Sequence, residues 1–240
     1  MNQTKTYLGG GKLGDFIYGT MVCNYEFVTN GIKADLYIAN IGDKFETDLE
    51  STYQALLPII SKQVWCNSFQ IYNNESIDIN LTDFRKSPLL YNKCWNEIYF
   101  DTFFKGIVPP PEYKWIQVGT DSLWTNTLVI NRSNKPITNE CIKVYEKLIQ
   151  PFDEVDFVCY HESQYDNFVL KRKCELILVE NLEEFFVIIN SAKAFAGNMS
   201  GALSWASAMN VPRYAEISGN GIDANFCYNE GKYYSNFNWF

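Results

Sequence analysis

One stretch of the chain, GNMSGALSWASAMNVP (197–212), combines residue types that could bind an anion. It follows an apolar strand predicted over 192–196 and leads into a helical pattern of small and apolar residues. Ser200 and Gly201 therefore fall at a helix N-terminus, where the backbone N–H groups have no partner within the helix. These N–H groups and the helix dipole both favour negative charge, so the stretch predicts an anion site.

A second candidate is the glycine loop GGGKLGD (9–15), which lies between a predicted strand and a predicted helix. Its glycines satisfy the dinucleotide fingerprint G-x-G-x-x-G. That fingerprint also needs an acid at the end of the second strand, but this strand ends in Ile-Ala-Asn (38–40) and has Asp35 at its beginning. A Walker loop is excluded because Leu13 stands where Ser or Thr must hold magnesium.

The stretch 197–212 resembles the donor-binding element of GT-B glycosyltransferases, most closely that of the ADP-heptose lipopolysaccharide heptosyltransferase family. It aligns without a gap with the family pattern Gly-x-Asp-Thr-Gly-x-Ser-His-x-x-x-Ala-x-x-x-Pro. Ser200 replaces the Thr, whereas Met199 and Ser204 replace the Asp and the His. The positions that match are Gly197, Gly201, Ala208 and Pro212.

The pair Gly14-Asp15 matches a Gly-Asp pair that opens the first helix in the same family. The resemblance implies that Asp15 is the catalytic base, taking the proton of an acceptor hydroxyl in an inverting transfer. A negative charge in the first turn of a helix is also favourable in itself, by about 0.3–1 kcal/mol. The residues expected on the acceptor side of the site are Gly10, Gly11, Lys12 and Gly14.

Sugar transfer from a nucleotide donor releases a diphosphate, whose charge must be met by a metal or by fixed donors and cations. No Asp-x-Asp motif ends an apolar strand, so we expect a metal-independent reaction without a cofactor. The loop 131–135 follows a predicted strand and resembles the family loop whose Lys contacts the donor phosphate. Glu180 and Glu162 are candidates to hold the ribose. The predicted donor-binding residues are Asn131, Arg132, Lys135, Glu180, Asn198, Met199, Ser200 and Gly201.

The composition excludes several classes of function. The 240 residues carry a net charge of −8 and no basic patch, which disfavours a nucleic-acid partner. No apolar run reaches the roughly 18 residues of a membrane span, and no secretory signal is visible, so a cytoplasmic protein is expected. The seven cysteines are widely spaced without a Cys-x-x-Cys pair, which suggests neither a disulfide framework nor a zinc site.

Apolar runs alternate with helical periodicity along nearly the whole chain, which predicts an α/β fold with parallel sheets. Residues 83–104 form an aromatic amphipathic segment, and the prolines that follow it end any helix. We predict two Rossmann-like lobes facing each other across a cleft, the GT-B plan. The N-terminal acceptor lobe spans 1–122 and the C-terminal nucleotide-sugar lobe spans 123–240.

The sequence thus favours a glycosyltransferase that moves a hexose or heptose from a nucleotide-sugar to a glycan or another hydroxyl acceptor. Two alternatives stay open. Met199 and Ser204, in place of the family's Asp and His, favour a non-catalytic relative that binds a nucleotide or glycan. The glycine loop is compatible with an NAD-linked oxidoreductase, although the missing acid speaks against it.

Overall fold

A computed structural model describes residues 3–90, 93–107, 113–133, 137, 139–166, 168, 170 and 174–216. The chain forms two compact units, residues 1–117 and 118–240. The sequence placed the boundary at 122/123. The difference arises because 118–121 bonds to a helix of the second unit: Asn190 donates to the Val118 and Gly119 carbonyls, and the Asp121 N–H donates to Ser191 Oγ.

The first unit is a parallel sheet flanked by helices. Its strands are β1 (Thr4–Gly10), β2 (Lys33–Ala39), β3 (Cys66–Ile71) and β4 (Ile79–Asn80), in the order β3-β2-β1-β4. Its helices are α1 (Leu13–Asn30), α2 (Leu49–Ile60) and α3 (Trp95–Phe103). A 3₁₀ helix, Leu81–Lys86, follows β4 directly.

The aromatic segment predicted over 83–104 is not one continuous element. It begins inside the 3₁₀ helix and continues, after a break, as α3, which packs against α1. The Tyr99 ring is 1% exposed and stacks on Phe84 with ring centroids 4.7 Å apart. Trp115 is also buried, and its Nε1 donates to the Ile17 carbonyl at 3.0 Å. These aromatic side chains therefore form the core between α1 and α3.

The described part of the second unit has the same layout with one more strand. Its strands are β5 (Thr127–Asn131), β6 (Glu154–Cys159), β7 (Glu175–Leu178), β8 (Ala194–Asn198) and β9 (Arg213–Glu216), in the order β7-β6-β5-β8-β9. Its helices are α4 (Asn139–Leu148), α5 (Leu182–Ser191) and α6 (Gly201–Ala208). A 3₁₀ turn over Glu162–Gln164 follows β6.

All strand pairs in both sheets are parallel, which confirms the predicted α/β class. In each unit the first strand lies between the second and the fourth. The strand order therefore reverses at this first strand. Such a reversal opens a crevice at the carboxyl ends of the strands. That edge is where a ligand is expected to bind in each unit. No helix in the described ranges is long and apolar enough to cross a membrane.

Candidate functional site

The glycine loop runs from the end of β1 into α1. Gly10 ends β1, Lys12 is the N-cap of α1, and Gly14 is already the second residue of that helix. Gly11 has φ +89°, a left-handed conformation that only glycine adopts without strain. A Cβ on Gly10 would lie 2.5 Å from the Ala39 carbonyl oxygen, so this glycine permits close packing of β1 on β2. The loop brings its residues together at the carboxyl edge of the first sheet.

The ribose acid of a dinucleotide site is missing from this edge. The last residue of β2 is Ala39, and Asn40 follows it. Asp35 lies two residues into the strand, where its Oδ1 accepts hydrogen bonds from Ser68 Oγ at 2.6 Å and Asn67 Nδ2 at 2.7 Å. These bonds tie β2 to β3, so Asp35 has a structural partner away from the glycine loop.

Asp15 lies in the first turn of α1, and its side chain is 15% exposed. Its Oδ2 accepts the Lys12 backbone N–H at 3.3 Å and forms an ion pair with Arg85 Nη2. The Tyr99 hydroxyl donates to the Asp15 carbonyl at 2.8 Å and holds the first turn against α3. Burial raises the pKa of the Asp15 carboxyl above its ordinary value, while the charge of Arg85 acts in the opposite direction.

Sequence reasoning missed Arg85 altogether. It belongs to the 3₁₀ helix that follows β4, and β4 pairs with β1, so Arg85 and Asp15 reach the same crevice from opposite sides. The available signal was a cation just beyond a short strand of a parallel sheet, because such strand ends meet at one edge. The β4 strand has only two residues, which made that signal weak.

In the second unit, the residues after β5 and β8 meet at the corresponding edge. The Ser133 N–H donates to Asn198 Oδ1 at 3.1 Å, and Asn198 Nδ2 lies 2.9 Å from Ser133 Oγ. Asn131 is buried, and its Nδ2 donates to the Val158 carbonyl at 2.8 Å. These amides join the three central strands of the sheet, which is a clear structural role. That they also bind the donor remains a prediction.

Arg132 has a buried partner that the sequence did not reveal. Its guanidinium is bidentate on Glu216, with Nε to Oε2 at 2.5 Å and Nη2 to Oε1 at 2.7 Å. The Tyr145 hydroxyl lies 3.1 Å from the same Oε2, and Arg132 is 2% exposed. Its charge is therefore balanced within the second unit. The predicted contact of Arg132 with phosphate stays untested, and Lys135 lies outside the described residues.

Ser200 and Gly201 form the start of α6, as the sequence predicts. Ser200 is the N-cap with extended φ and ψ of −150° and 174°, but its side chain caps no N–H of the helix. The Ser200 Oγ is buried and has no hydrogen-bond partner among the described residues. The hydroxyl and the first N–H groups of α6 together provide donors for an anion at this edge. Met199, beside them, is half-buried.

Glu180 lies to the side of this cluster in the second sheet. It follows β7, the outermost strand, which is separated from β5 by β6. Two strand spacings place it roughly 10 Å to the side of the loop after β5. Its backbone N–H bonds to the Glu184 carboxylate at 2.8 Å, and its own side chain is exposed.

The described residues contain no group of three or more His, Cys, Asp or Glu side chains that could hold a metal ion. No family model matches the sequence, and no curated protein matches it either.

Solved structures do share the fold. The E. coli heptosyltransferase WaaC, solved with ADP, is similar over 93% of this chain and 90% of its own, with a TM-score of 0.62 and 10% sequence identity. A family 9 glycosyl transferase from Veillonella parvula is similar over 95% of this chain and 86% of its own, with a TM-score of 0.59 and 10% identity.

A third structure with this fold is the iron-containing dodecameric glycosyltransferase TibC of enterotoxigenic E. coli. It is similar over 90% of this chain and 58% of its own, with a TM-score of 0.56 and 11% identity. The three structures confirm at the level of fold the resemblance read from 197–212 and from Gly14-Asp15. At these identities the likeness concerns the fold, and function has to be argued from the site.

We expect Arg132→Ala to destabilise the protein by about 3–5 kcal/mol, because it leaves the buried Glu216 carboxylate without its partner. Adding Glu216→Gln should recover a substantial part of that loss, which denaturant unfolding of the two single variants and the double variant would measure. Additive losses would contradict the coupling. The folded double variant also tests the phosphate role, because undiminished affinity for ADP there would exclude Arg132 as a phosphate contact.

Proposed function

We propose that this protein is a glycosyltransferase that moves a sugar from a nucleotide-sugar donor to a hydroxyl of a glycan or another acceptor. The observation that carries the proposal is the extent of the structural likeness: it covers 93% of the chain and both units, against a heptosyltransferase solved with ADP. Two Rossmann-like units with loops facing across a cleft belong to this proposal. The proposal also includes an inverting, metal-independent reaction and the roles assigned to individual residues.

In the proposed reaction, the donor diphosphate binds at the start of α6. The N–H groups at Ser200 and Gly201 donate to phosphate oxygens, and so does the Ser200 hydroxyl, which has no partner in the described ranges. The helix dipole favours the charge that grows on the diphosphate as the sugar leaves. Lys135 is proposed as the cation that completes this site, since the charge of Arg132 is already balanced by Glu216.

Asp15 is proposed as the general base. The acceptor oxygen attacks the anomeric carbon and forms the new C–O bond while the bond from that carbon to the diphosphate oxygen breaks. The acceptor proton passes to the Asp15 carboxylate, and the diphosphate leaves with the bonding electrons. A single displacement of this kind inverts the anomeric centre. The raised pKa of Asp15 suits the role because it makes the carboxylate a stronger base than an exposed one.

The substitution of the family's Asp and His by Met199 and Ser204 supports one second candidate, a relative that binds a nucleotide or glycan without turnover. Ser204 is 6% exposed, and its Oγ bonds to the Ser200 carbonyl at 3.3 Å, so it stiffens the first turn of α6.

A panel of nucleotide-sugars, nucleoside diphosphates and NAD separates the candidates. Transfer or hydrolysis of a donor supports the enzyme, binding without turnover supports the second candidate, and binding of NAD alone contradicts both.

Asp15→Asn should lower transfer by roughly 10²–10⁴-fold, the usual contribution of general-base catalysis, and leave nucleotide affinity nearly unchanged. The amide keeps the shape of the carboxyl but accepts no proton. Steady-state rates with the donor identified by the panel would measure the effect. Asp83→Asn is the matched control, because that side chain is 40% exposed and pairs with Lys86 in the same unit. Full turnover in Asp15→Asn would remove Asp15 from the mechanism.

Wild-type activity should also fall at acidic pH. A base acts only when ionised, and burial raises the pKa of Asp15, so the acid limb of kcat/KM should lie above the ordinary pKa of an aspartate. The limb should disappear from the residual activity of Asp15→Asn. A limb that persists there belongs to another group.

Gly201→Val should abolish binding of ADP by placing a branched side chain against the phosphate, while Ser200→Ala should cost only one hydrogen bond, about 0.5–1.5 kcal/mol. Calorimetric titration and thermal unfolding of both variants test this. A glycine needed only for packing predicts instead that Gly201→Val lowers the melting temperature. Full ADP affinity in a folded Gly201→Val variant would contradict the phosphate site.

A further inference from the structure

The ion pair between Asp15 and Arg85 is built into the fold from several directions. Arg85 reaches Asp15 from the segment after β4, and its Cζ lies 4.6 Å from the centroid of the buried Phe84 ring. Phe84 in turn stacks on Tyr99, whose hydroxyl holds the backbone of Asp15. The arginine therefore rests on the same aromatic core that positions the first turn of α1.

Two glycines from different loops leave the space that the Arg85 guanidinium fills. Gly11, after β1, has φ +89°, and a Cβ there would lie 2.5 Å from Nη2. Gly42, after β2, has φ +76°, and a Cβ there would lie 2.8 Å from Nη1. A side chain at either position would push the guanidinium away. The guanidinium is thus fixed between two backbone segments and a ring.

The hydrogen bonds to Asp15 are unevenly distributed over its carboxylate. Both the Lys12 N–H and Arg85 Nη2 donate to Oδ2. Oδ1 accepts no hydrogen bond from the part of the chain that the structure describes. One oxygen is therefore held, while the other keeps its lone pairs for an incoming group.

We propose that Arg85 is a positioning residue for Asp15: by holding Oδ2 it orients the carboxylate so that Oδ1 receives the proton of the acceptor hydroxyl. The assignment of that proton rests on the proposed function. The orientation of the carboxylate by Arg85 does not, and it can be measured without any substrate.

The charged groups around Asp15 determine the expected pH dependence. Arg85 from the 3₁₀ helix and Lys12 from the N-cap stabilise the carboxylate, whereas Asp43 from the loop after β2 opposes it. Lys12 and Asp43 lie 3.8 Å apart, so their effects partly cancel. The Tyr99 hydroxyl from α3 is buried and remains protonated, because burial raises its pKa. Arg85 is thus the charged group that most lowers the pKa of this partly buried carboxylate.

The first experiment follows the Asp15 carboxyl carbon by NMR during a pH titration, with Asp15→Asn to assign the signal. We expect the pKa of Asp15 to rise by roughly one to three pH units in Arg85→Gln, because burial is then opposed by much less positive charge. Arg85→Lys should restore part of the shift, since it keeps the charge. An unchanged Asp15 pKa in Arg85→Gln would overturn the proposal.

A pair of glycine variants tests the position of the guanidinium without changing a charge. Gly42→Ala and Gly31→Ala both put alanine at an exposed site of similar positive φ, +76° and +69°. A Cβ at Gly42 meets Arg85, whereas a Cβ at Gly31 has no neighbour within 4 Å. Gly42→Ala should therefore raise the Asp15 pKa in the direction of Arg85→Gln, and Gly31→Ala should leave it unchanged. Equal pKa values in the two variants would contradict the proposal.

The second experiment uses the transfer reaction. Arg85→Gln should lower kcat by roughly 10- to 100-fold at neutral pH, leave the donor KM unchanged and move the acid limb of kcat/KM to higher pH. Arg85→Lys should recover part of the rate. If the wild-type protein transfers no sugar from any donor, the proposed function fails, while the carboxyl titration still decides the role of Arg85. A donor KM that rises in Arg85→Gln with an unchanged acid limb would assign Arg85 to substrate binding instead, and so overturn the proposal.

Discussion

The position of the first strand of each sheet, between two parallel neighbours, is the constraint on which both candidate sites depend. β1 lies between β2 and β4, and β5 lies between β6 and β8. Because parallel strands all end at one edge, the segments after these strands come together there, however far apart they are in sequence. Asp15 and Arg85 are 70 residues apart and meet in this way, as do Ser133 and Asn198, 65 residues apart.

The two ion pairs at these edges are built differently: the Arg132–Glu216 pair is buried, whereas the Arg85–Asp15 pair is partly buried. Glu216 accepts two bonds from Arg132 on its two oxygens and lies 3.1 Å from the Tyr145 hydroxyl. Among the residues with a described position, only hydrogen bonds to Oδ2 hold Asp15. A buried carboxylate is costly unless its lone pairs are satisfied, and Glu216 meets this condition through Arg132 and Tyr145. Asp15 is only partly buried, so its second oxygen stays open to an incoming group, as the proposed role of this carboxylate requires.

Much of the fold could be predicted from the sequence because hydrophobic periodicity reports directly on buried faces. The alternation of strands and helices, the glycine loop and the N-cap position of Ser200 all follow from local patterns. Partners across the sheet could not be predicted in the same way. Arg85 follows the short strand β4, and Glu216 ends the short strand β9. Which acid faces which base depends on strand order and register, and local sequence patterns do not determine either. The aromatic spacing of 83–104 likewise does not show that this segment is divided between a 3₁₀ helix and α3.

The glycines of the loop 9–15 match the dinucleotide fingerprint, but the close contacts at Gly9, Gly10 and Gly11 differ from one another. A Cβ on Gly9 would lie 2.8 Å from the Phe16 ring, one on Gly10 would meet the Ala39 carbonyl, and one on Gly11 would meet Arg85. In a dinucleotide site the corresponding glycines allow the backbone to approach a pyrophosphate. Here the space beside Gly11 is filled by the guanidinium of an arginine, which is already paired with the carboxylate of Asp15. A glycine without a side chain thus leaves room for an anion in a dinucleotide site and for a cation here. The function of such a loop therefore has to be inferred from the group that occupies the space, and not from the glycines alone.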